Sequence, residues 1–416
     1  MYVRIIDPHA PTWSAELDRM GLRLRDRDDV ALFPYHFLQV TLPRIGGCAA
    51  WIEEDGTRIG AAFIFPRQRD RGGAPVFTFR YHFFRGVPAP PPDLLANAAR
   101  NALEGSEFFA YDPLAMQAYA STHKSYGAVE IGRPDADEAA AIPALHAAIW
   151  GSPPEFIYPA DIHSINFAAA TSLVARVDRR PVGFLLGFAK FGGRPLPADW
   201  HERFGGDYRI ESQIMGVLPA YRGLRIAHLL KQAQAEYAWR EGIGIVNWTA
   251  DPLQYPNAAL NFGLLRAVAF HFIPDLYPFR NNLNRVAASR FSLAWLVGTA
   301  RVRATNQAGG RTDVLDLAHH PAIARVNDGW AILNDAPTAA TVAIEIPANW
   351  TMLQSDDVPA AMRWREVTDG LFRQLIGLED GRYVITNAAV HNERRFLIAE
   401  RACPTLWGRL GEVQIP

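Results

Sequence analysis

Two cysteines in 416 residues, Cys48 and Cys403, leave no disulfide framework and no metal-ligand spacing. The His319–His320 and Asp356–Asp357 pairs have no partners at ligand spacing, so no metal is expected. No run of about 18 apolar residues occurs, and the opening MYVRIIDPHAP carries no apolar signal core. A membrane span is therefore not expected, and a reducing cytoplasm is the expected compartment. Neither sign of charge dominates: 42 basic and 43 acidic residues give a net charge of −1, which argues against a nucleic-acid partner. Lysine is scarce, limited to Lys124, Lys190 and Lys231; every other base is arginine. That bias reads as genomic base composition, with selection for arginine ion pairs as the alternative.

A hydrophobic content of 49% against 20% charged residues describes a globular chain, and its length predicts two or three domains. The middle third alternates helical and strand patterns. Residues 134–150 read as a helix with Asp135 or Asp137 as N-cap, and Pro143 suggests a later start. Residues 172–177 and 182–188 read as a hairpin, 208–217 as a strand, 225–241 as a helix, and 243–249 as a buried strand. A short helix over 257–265 and strands near 268–272 and 291–297 follow. This order predicts a mixed α/β layer around one sheet.

The first third repeats the pattern. Residues 48–52 and 59–65 flank Glu54-Asp55-Gly56, a long strand at 76–84 ends in Gly86-Val87-Pro88, and residues 108–111 lead into Asp112-Pro113-Leu114. The later copy has Gly216-Val217-Leu218-Pro219, then residues 245–249, then Asp251-Pro252-Leu253. The interval is shorter in the early copy, where the prolines of residues 88–92 remove backbone N–H donors. In the last hundred residues, 342–346, 383–386 and 396–400 read as strands. Residues 359–376 read as an amphipathic helix with Met362, Val367, Leu371 and Leu375 inward. Residues 304–311 are a candidate linker. The expected organisation is residues 1–130, 131–303 and 312–416.

Chemistry concentrates at residues 217–231, VLPAYRGLRIAHLLK. Strand, Arg-Gly turn and helix N-terminus together predict a cradle of backbone N–H groups at the positive end of a helix dipole, which suits a pyrophosphate. Val217, Pro219 and Arg222-Gly223-Leu224-Arg225-Ile226-Ala227 resemble the acyl-CoA-binding motif of the GNAT N-acetyltransferase superfamily. Asn247-Trp248-Thr249, Asp251-Pro252-Leu253, Asn257-Ala258 and Asn261 resemble a bacterial group of predicted acetyltransferases within it. So do Glu345-Ile346-Pro347, Trp364-Arg365, Thr368 and Phe372. The resemblance implies a tandem GNAT-like arrangement with a degenerate first copy and a C-terminal α+β segment. Four positions depart from the pattern. Arg225 and Arg266 stand where glycines are usual, Phe262 where many members have a tyrosine acid, and Ala288-Ser289-Arg290 where Ser-Asp-Arg is expected. Arginine at 225 either supplies a guanidinium–phosphate contact or blocks the cradle.

The resemblance implies acyl-CoA, chiefly acetyl-CoA, as cosubstrate, held by Met215, Gly216, Val217, Arg222, Gly223, Leu224, Arg225, Ile226, Ala227, His228 and Asn257. Strand alternation predicts Glu211, Gln213, Met215 and Val217 on one face. Glu211 is then either a base with a pKa raised by burial or a carboxylate paired with an arginine such as Arg209 or Arg290. Asp251 either forms a turn and caps the next helix or recognises a substrate amine. Asn257 caps its helix or contacts CoA, and His228 meets phosphate or solvent. Tyr255 and Tyr277 are candidates for the missing acid. The expected activity is N-acyl transfer to a small-molecule amine by direct attack on the thioester. A silent acyl-CoA sensor or scaffold, and another acyl-CoA reaction such as hydrolysis, stay open. Exposed edge strands leave homo-oligomerisation open too.

Overall fold

The computed structural model describes residues 1–25, 27, 29–88, 90–277, 280, 284–307 and 314–413. The fold is mixed α/β, as the element pattern predicts. Two compact units are Met1–Arg194 with Asp207–Tyr237, and Pro195–Gly206 with Ala238–Pro416.

The first unit opens with a five-stranded sheet in the order β1 (Tyr2–Ile6), β2 (Cys48–Glu54), β3 (Thr57–Arg69), β4 (Pro75–Phe83), β5 (Glu107–Tyr111). The first four are antiparallel neighbours. The parallel β4–β5 pair is joined by a crossover through the helix Pro92–Ala102, as a parallel connection requires. Period-two sorting builds two cores from one sheet. Ile52, Ala62 and Ile64 pack with Phe79 and Leu95 on one face, while Trp51, Phe63 and Phe65 enter the aromatic core with Phe33 and Phe37 on the other.

The same unit holds antiparallel strands β6 (Lys124–Tyr126), β7 (Val129–Gly132), β8 (Thr171–Val177), β9 (Arg180–Phe191) and β10 (Tyr208–Val217). The β8–β9 turn places Asp178 and Arg179 at φ 51° and 62°, the left-handed pair that a tight hairpin needs. Leu186 and Phe188 of β9 join the aromatic core, with the Phe65 and Phe188 rings 5.9 Å apart. On the other face Leu185 and Val182 pack on Ile226 and Leu230 of the helix Ile226–Arg240.

The helix Ala136–Trp150 starts where the sequence placed its cap. Asp135 accepts from the Glu138 N–H and Glu138 accepts from the Asp135 N–H, forming a capping box. Pro143 is in the helix interior rather than near the start. The capping box fixes the N-terminus upstream of it, and the helix accommodates the missing donor.

In the second unit, β11 (Ile245–Ala250), β12 (Val268–Ile273) and β13 (Arg290–Leu296) are antiparallel neighbours in the order β12-β13-β11. The sheet continues from β12 to Tyr383–His391, Arg394–Arg401, Thr341–Ile346 and Ala324–Arg325. The helix Val358–Leu375 was expected to turn Met362 inward, but Met362 is 60% exposed. Its buried stripe is Ala361, Arg365, Thr368, Asp369, Leu371, Phe372 and Leu375. The stripe mixes ionic and apolar groups, so hydrophobicity alone misplaces the face by part of a turn. The linker expected at 304–311 begins inside the helix Ala300–Gln307, and its remainder lies outside the described residues.

Candidate functional site

In the first unit β10 leads through Pro219–Tyr221 into the turn 222–225 and the helix Ile226–Arg240. Residues 222–225 are exposed, whereas Ile226, His228 and Leu230 are buried. A side chain at Gly223 would meet no atom within 4 Å, although the backbone there, at φ 98°, suits only glycine well. Arg225 sits at φ 60° and its carbonyl accepts the first helical bond, from the Leu229 N–H at 3.0 Å. The first-turn N–H groups of Ile226 and Ala227 have no acceptor within their own helix. Arg225 thus keeps the left-handed backbone that glycine favours, at a cost of about 1–2 kcal/mol. Arg266, the other arginine at a glycine position, is likewise at φ 60°.

His228 was expected at phosphate or in solvent; it is buried, with Arg225 Nη2 3.4 Å from its Nδ1. Met215 and Val217 pack beside Ile226 and Leu230. Gly216 faces the opposite way, where a Cβ would lie 2.4 Å from the Trp150 ring.

Strand alternation fails at one point. Ser212 pairs with Gly187 and Ile214 with Leu186, so Gln213 is the extra residue of a bulge. Ser212, Met215 and Val217 therefore face the Ile226–Arg240 helix, and Glu211 and Ile214 face away from it. Gln213 donates to the Tyr158 hydroxyl at 2.9 Å.

Glu211 lies in a buried ion cluster. Lys190 Nζ donates to Oε2 at 2.7 Å and Arg44 Nη2 to Oε1 at 3.0 Å. The arginine that hydrogen-bonds to it is thus Arg44, and Arg209 adds a Coulombic attraction. Burial pushes the Glu211 pKa up, but Lys190 and Arg44 outweigh it and hold the group below its ordinary value. This reverses the direction that a base needs. On the helix side, Lys231 Nζ donates to Ser212 Oγ at 2.7 Å and to Gln234 Oε1 at 3.2 Å; Gln234 in turn donates to Thr171 Oγ1. Burial lowers the Lys231 pKa to about 7.

In the second unit Asp251 directly follows β11, with its side chain 9% exposed. Arg365 Nη2 donates to both carboxylate oxygens at 2.8 Å, Trp350 Nε1 donates to Oδ2 at 3.1 Å, and Arg290 Nη1 stands 3.5 Å from Oδ2. The Leu253 N–H donates to Oδ1 at 3.0 Å, which is the turn role. Burial raises the Asp251 pKa, and Arg365 and Arg290 more than reverse it. Both oxygens are thus engaged within the protein, a poor arrangement for reading a substrate amine.

The short helix Tyr255–Ala258 has Gln254, not Asn257, as its N-cap, and Asn257 is exposed within it. Tyr255 lies half-buried under the Arg395 guanidinium, 5.2 Å from the ring centre. Phe262 is buried in the following π-helical turn, Ala259–Leu264. Tyr277 OH is 3.3 Å from Thr249 Oγ1. Arg365 was visible in the sequence as part of Trp364-Arg365, but its partner was not. Lys190, Arg44 and Lys231 carried no local signal beyond the rarity of lysine.

Among the described residues no helix is long and apolar enough to cross a membrane, and no cluster of three His, Cys, Asp or Glu side chains could hold a metal ion. No protein-family model and no curated protein matches the sequence. Among solved structures, the chain is similar to the ribosomal-protein-S18-alanine N-acetyltransferase from Escherichia coli at 11% identity, with a TM-score of 0.30 over 41% of this chain and 96% of that one. It is similar to Arabidopsis thaliana Naa50, solved with a CoA bisubstrate analogue, at 13% identity and a TM-score of 0.31 over 40% and 98%. It is also similar to an acetyltransferase of the GNAT family from Streptococcus pneumoniae at 12% identity and a TM-score of 0.31 over 41% and 99%.

Proposed function

We propose that this protein is an acyl-CoA-dependent N-acyltransferase of GNAT type that uses acetyl-CoA and acts on a small-molecule amine. The observation that carries the reading is the exposed turn at 222–225 leading into a helix N-terminus, with Arg225 held at the φ that its motif position demands of glycine. N–H groups of the first turn and the Arg222 and Arg225 guanidinium groups would bind the pyrophosphate. Met215, Gly216 and Val217 at the strand end would hold the pantetheine arm.

In this reading the amine nitrogen attacks the thioester carbon, the carbon–sulfur bond breaks, and the thiolate leaves with CoA. Water takes the amine proton, because Glu211 is committed to Lys190 and Arg44. Tyr255 is the proposed acid for the thiolate and Asn257 a proposed CoA contact. Asp251 serves its own loop instead of the amine. The segments 1–130, 131–303 and 312–416 are proposed as two GNAT-like copies and a C-terminal extension. The sequence strand–helix–three strands–helix–strand in β1–β5 supports the first copy.

Release of free thiol from acetyl-CoA, followed across a panel of primary amines, tests the reading. Amine-dependent release supports it. Binding without release for every amine would favour a silent acyl-CoA sensor, a reading that the engaged carboxylates of Glu211 and Asp251 also favour. Amine-independent release would indicate a hydrolase.

A further inference from the structure

The residues that follow β11 are tied down mainly by side chains from the C-terminal part of the chain. Asp251 is gripped by Arg365 of the helix Val358–Leu375 and by Trp350 of the helix Trp350–Asp356. Gln254 exchanges hydrogen bonds with Thr351, with Nε2 to Oγ1 at 3.0 Å. Arg395 covers the Tyr255 ring. These four partners all come from residues 350–395, and they converge on a stretch of five residues, 251–255.

We propose that the C-terminal segment positions the 251–257 loop, with Arg365 as its principal positioning residue. The role rests on the acyl-transfer reading, in which that loop carries Tyr255 and Asn257.

The energetics favour a built device over chance packing. Arg365 is buried on its helix, and its guanidinium also lies 4.8 Å from the Trp350 ring centre. A buried arginine tolerates loss of its carboxylate poorly, so the pair holds strongly once formed. Both oxygens accept from the one nitrogen Nη2, and the Trp350 ring beside the guanidinium limits how that group can turn. The grip is itself braced. Phe372, about two turns further along the same face, packs on Phe291 and Phe272 with ring centres 4.8 and 5.4 Å apart. Ser289 donates to Asp369 Oδ2 at 2.6 Å. Arg290, next in sequence, donates to Asn284 and approaches Asp251. The segment thereby locks the strand β13 side and the loop together, and a loop held by side chains of high sequence separation opens only when they let go.

Hydrogen exchange on the full chain tests the proposal, with Arg365→Gln, Arg365→Lys and Trp350→Phe compared with wild type. In Arg365→Gln, exchange at residues 251–258 should accelerate by tenfold or more while residues 226–237 keep their protection. Lysine keeps a charged donor but not the planar group beside the Trp350 ring, and should recover part of the protection. Turnover with the most active amine of the panel should fall by tenfold or more, KM for acetyl-CoA should rise as the Asn257 contact loosens, and lysine should partly rescue both. Unchanged loop exchange in folded Arg365→Gln would overturn the proposal, as would a loosened loop with unchanged turnover. If Arg365→Gln does not fold, Trp350→Phe decides, since it removes only the indole donor: faster loop exchange supports the proposal and unchanged exchange overturns it. Failure of wild type to turn over acetyl-CoA would instead strike the acyl-transfer reading, and the exchange arm would still report whether the segment holds the loop.

Discussion

Lys190 donates to Glu211 across the β9–β10 pair at 2.7 Å, on the face of β10 that turns away from Ser212 and Val217. The bulge at Gln213 separates what a regular strand would have aligned. Glu211→Gln leaves the buried Lys190 and the partly exposed Arg44 without their countercharge and should cost about 3–5 kcal/mol of stability. Acetyl transfer per folded molecule should change far less than the loss of about 10²-fold or more expected on removing a general base. Denaturant unfolding and kinetics on the same preparation check both outcomes; a large loss of kcat with intact stability would return Glu211 to the role of base.

Acid should destabilise the protein in two overlapping windows. His36 and His146 are pulled down to about 4 and His163 to about 3, in each case mainly by burial. The unfolded chain binds protons at these residues as the pH falls below the ordinary value of 6.5, and the folded chain does not until near 4, so stability drops across that interval. Glu211 and Asp251 have lowered pKa values, and their contribution is present above the unfolded carboxyl values and lost as the pH falls through the folded ones. Urea midpoints at pH 7.5, 5.5 and 4.5 should decrease in that order. A flat series would contradict the burial of the three histidines as neutral groups.

Lys231 predicts a slope on the alkaline side. Its pKa is lowered from 10.5 to about 7 by burial, so the unfolded chain holds more protons between those values and stability rises with pH there. Lys231→Met should flatten this part of the profile. An unchanged slope in the variant would assign it to another group.

Arg225 and Arg266 share a φ of 60°. Arg266→Gly should therefore leave stability unchanged or slightly raised, and Arg266→Val should cost about 2 kcal/mol because a branched side chain strains that backbone. For Arg225 the readout is ligand affinity. Arg225→Glu should weaken CoA binding by more than tenfold with the fold intact, and Arg225→Gly should weaken it only a few-fold. Tighter binding by the glycine variant would mean that the arginine blocks the cradle.

Local chemistry made much of the fold legible. The Asp178-Arg179 and Asp55-Gly56 turns, the Asp135–Glu138 cap and the apolar alternation of β3 and β9 are all short-range signals. The site was half legible for the same reason. The turn at 222–225 is contiguous in sequence, whereas Glu211 with Arg44 and Asp251 with Arg365 join residues more than a hundred positions apart. The inward face of Val358–Leu375 was misjudged at Met362 because hydrophobicity cannot foresee that Arg365 and Asp369 are turned in to meet ionic partners. The bulge at Gln213 had no marker at all, since neither glycine nor proline stands there.

Calorimetric titration of the full chain with acetyl-CoA tests the central claim most directly. The cradle at 222–228 predicts saturable one-site binding with a micromolar dissociation constant, lost in Arg225→Glu. Absence of binding at millimolar acetyl-CoA and CoA by a folded protein would contradict it.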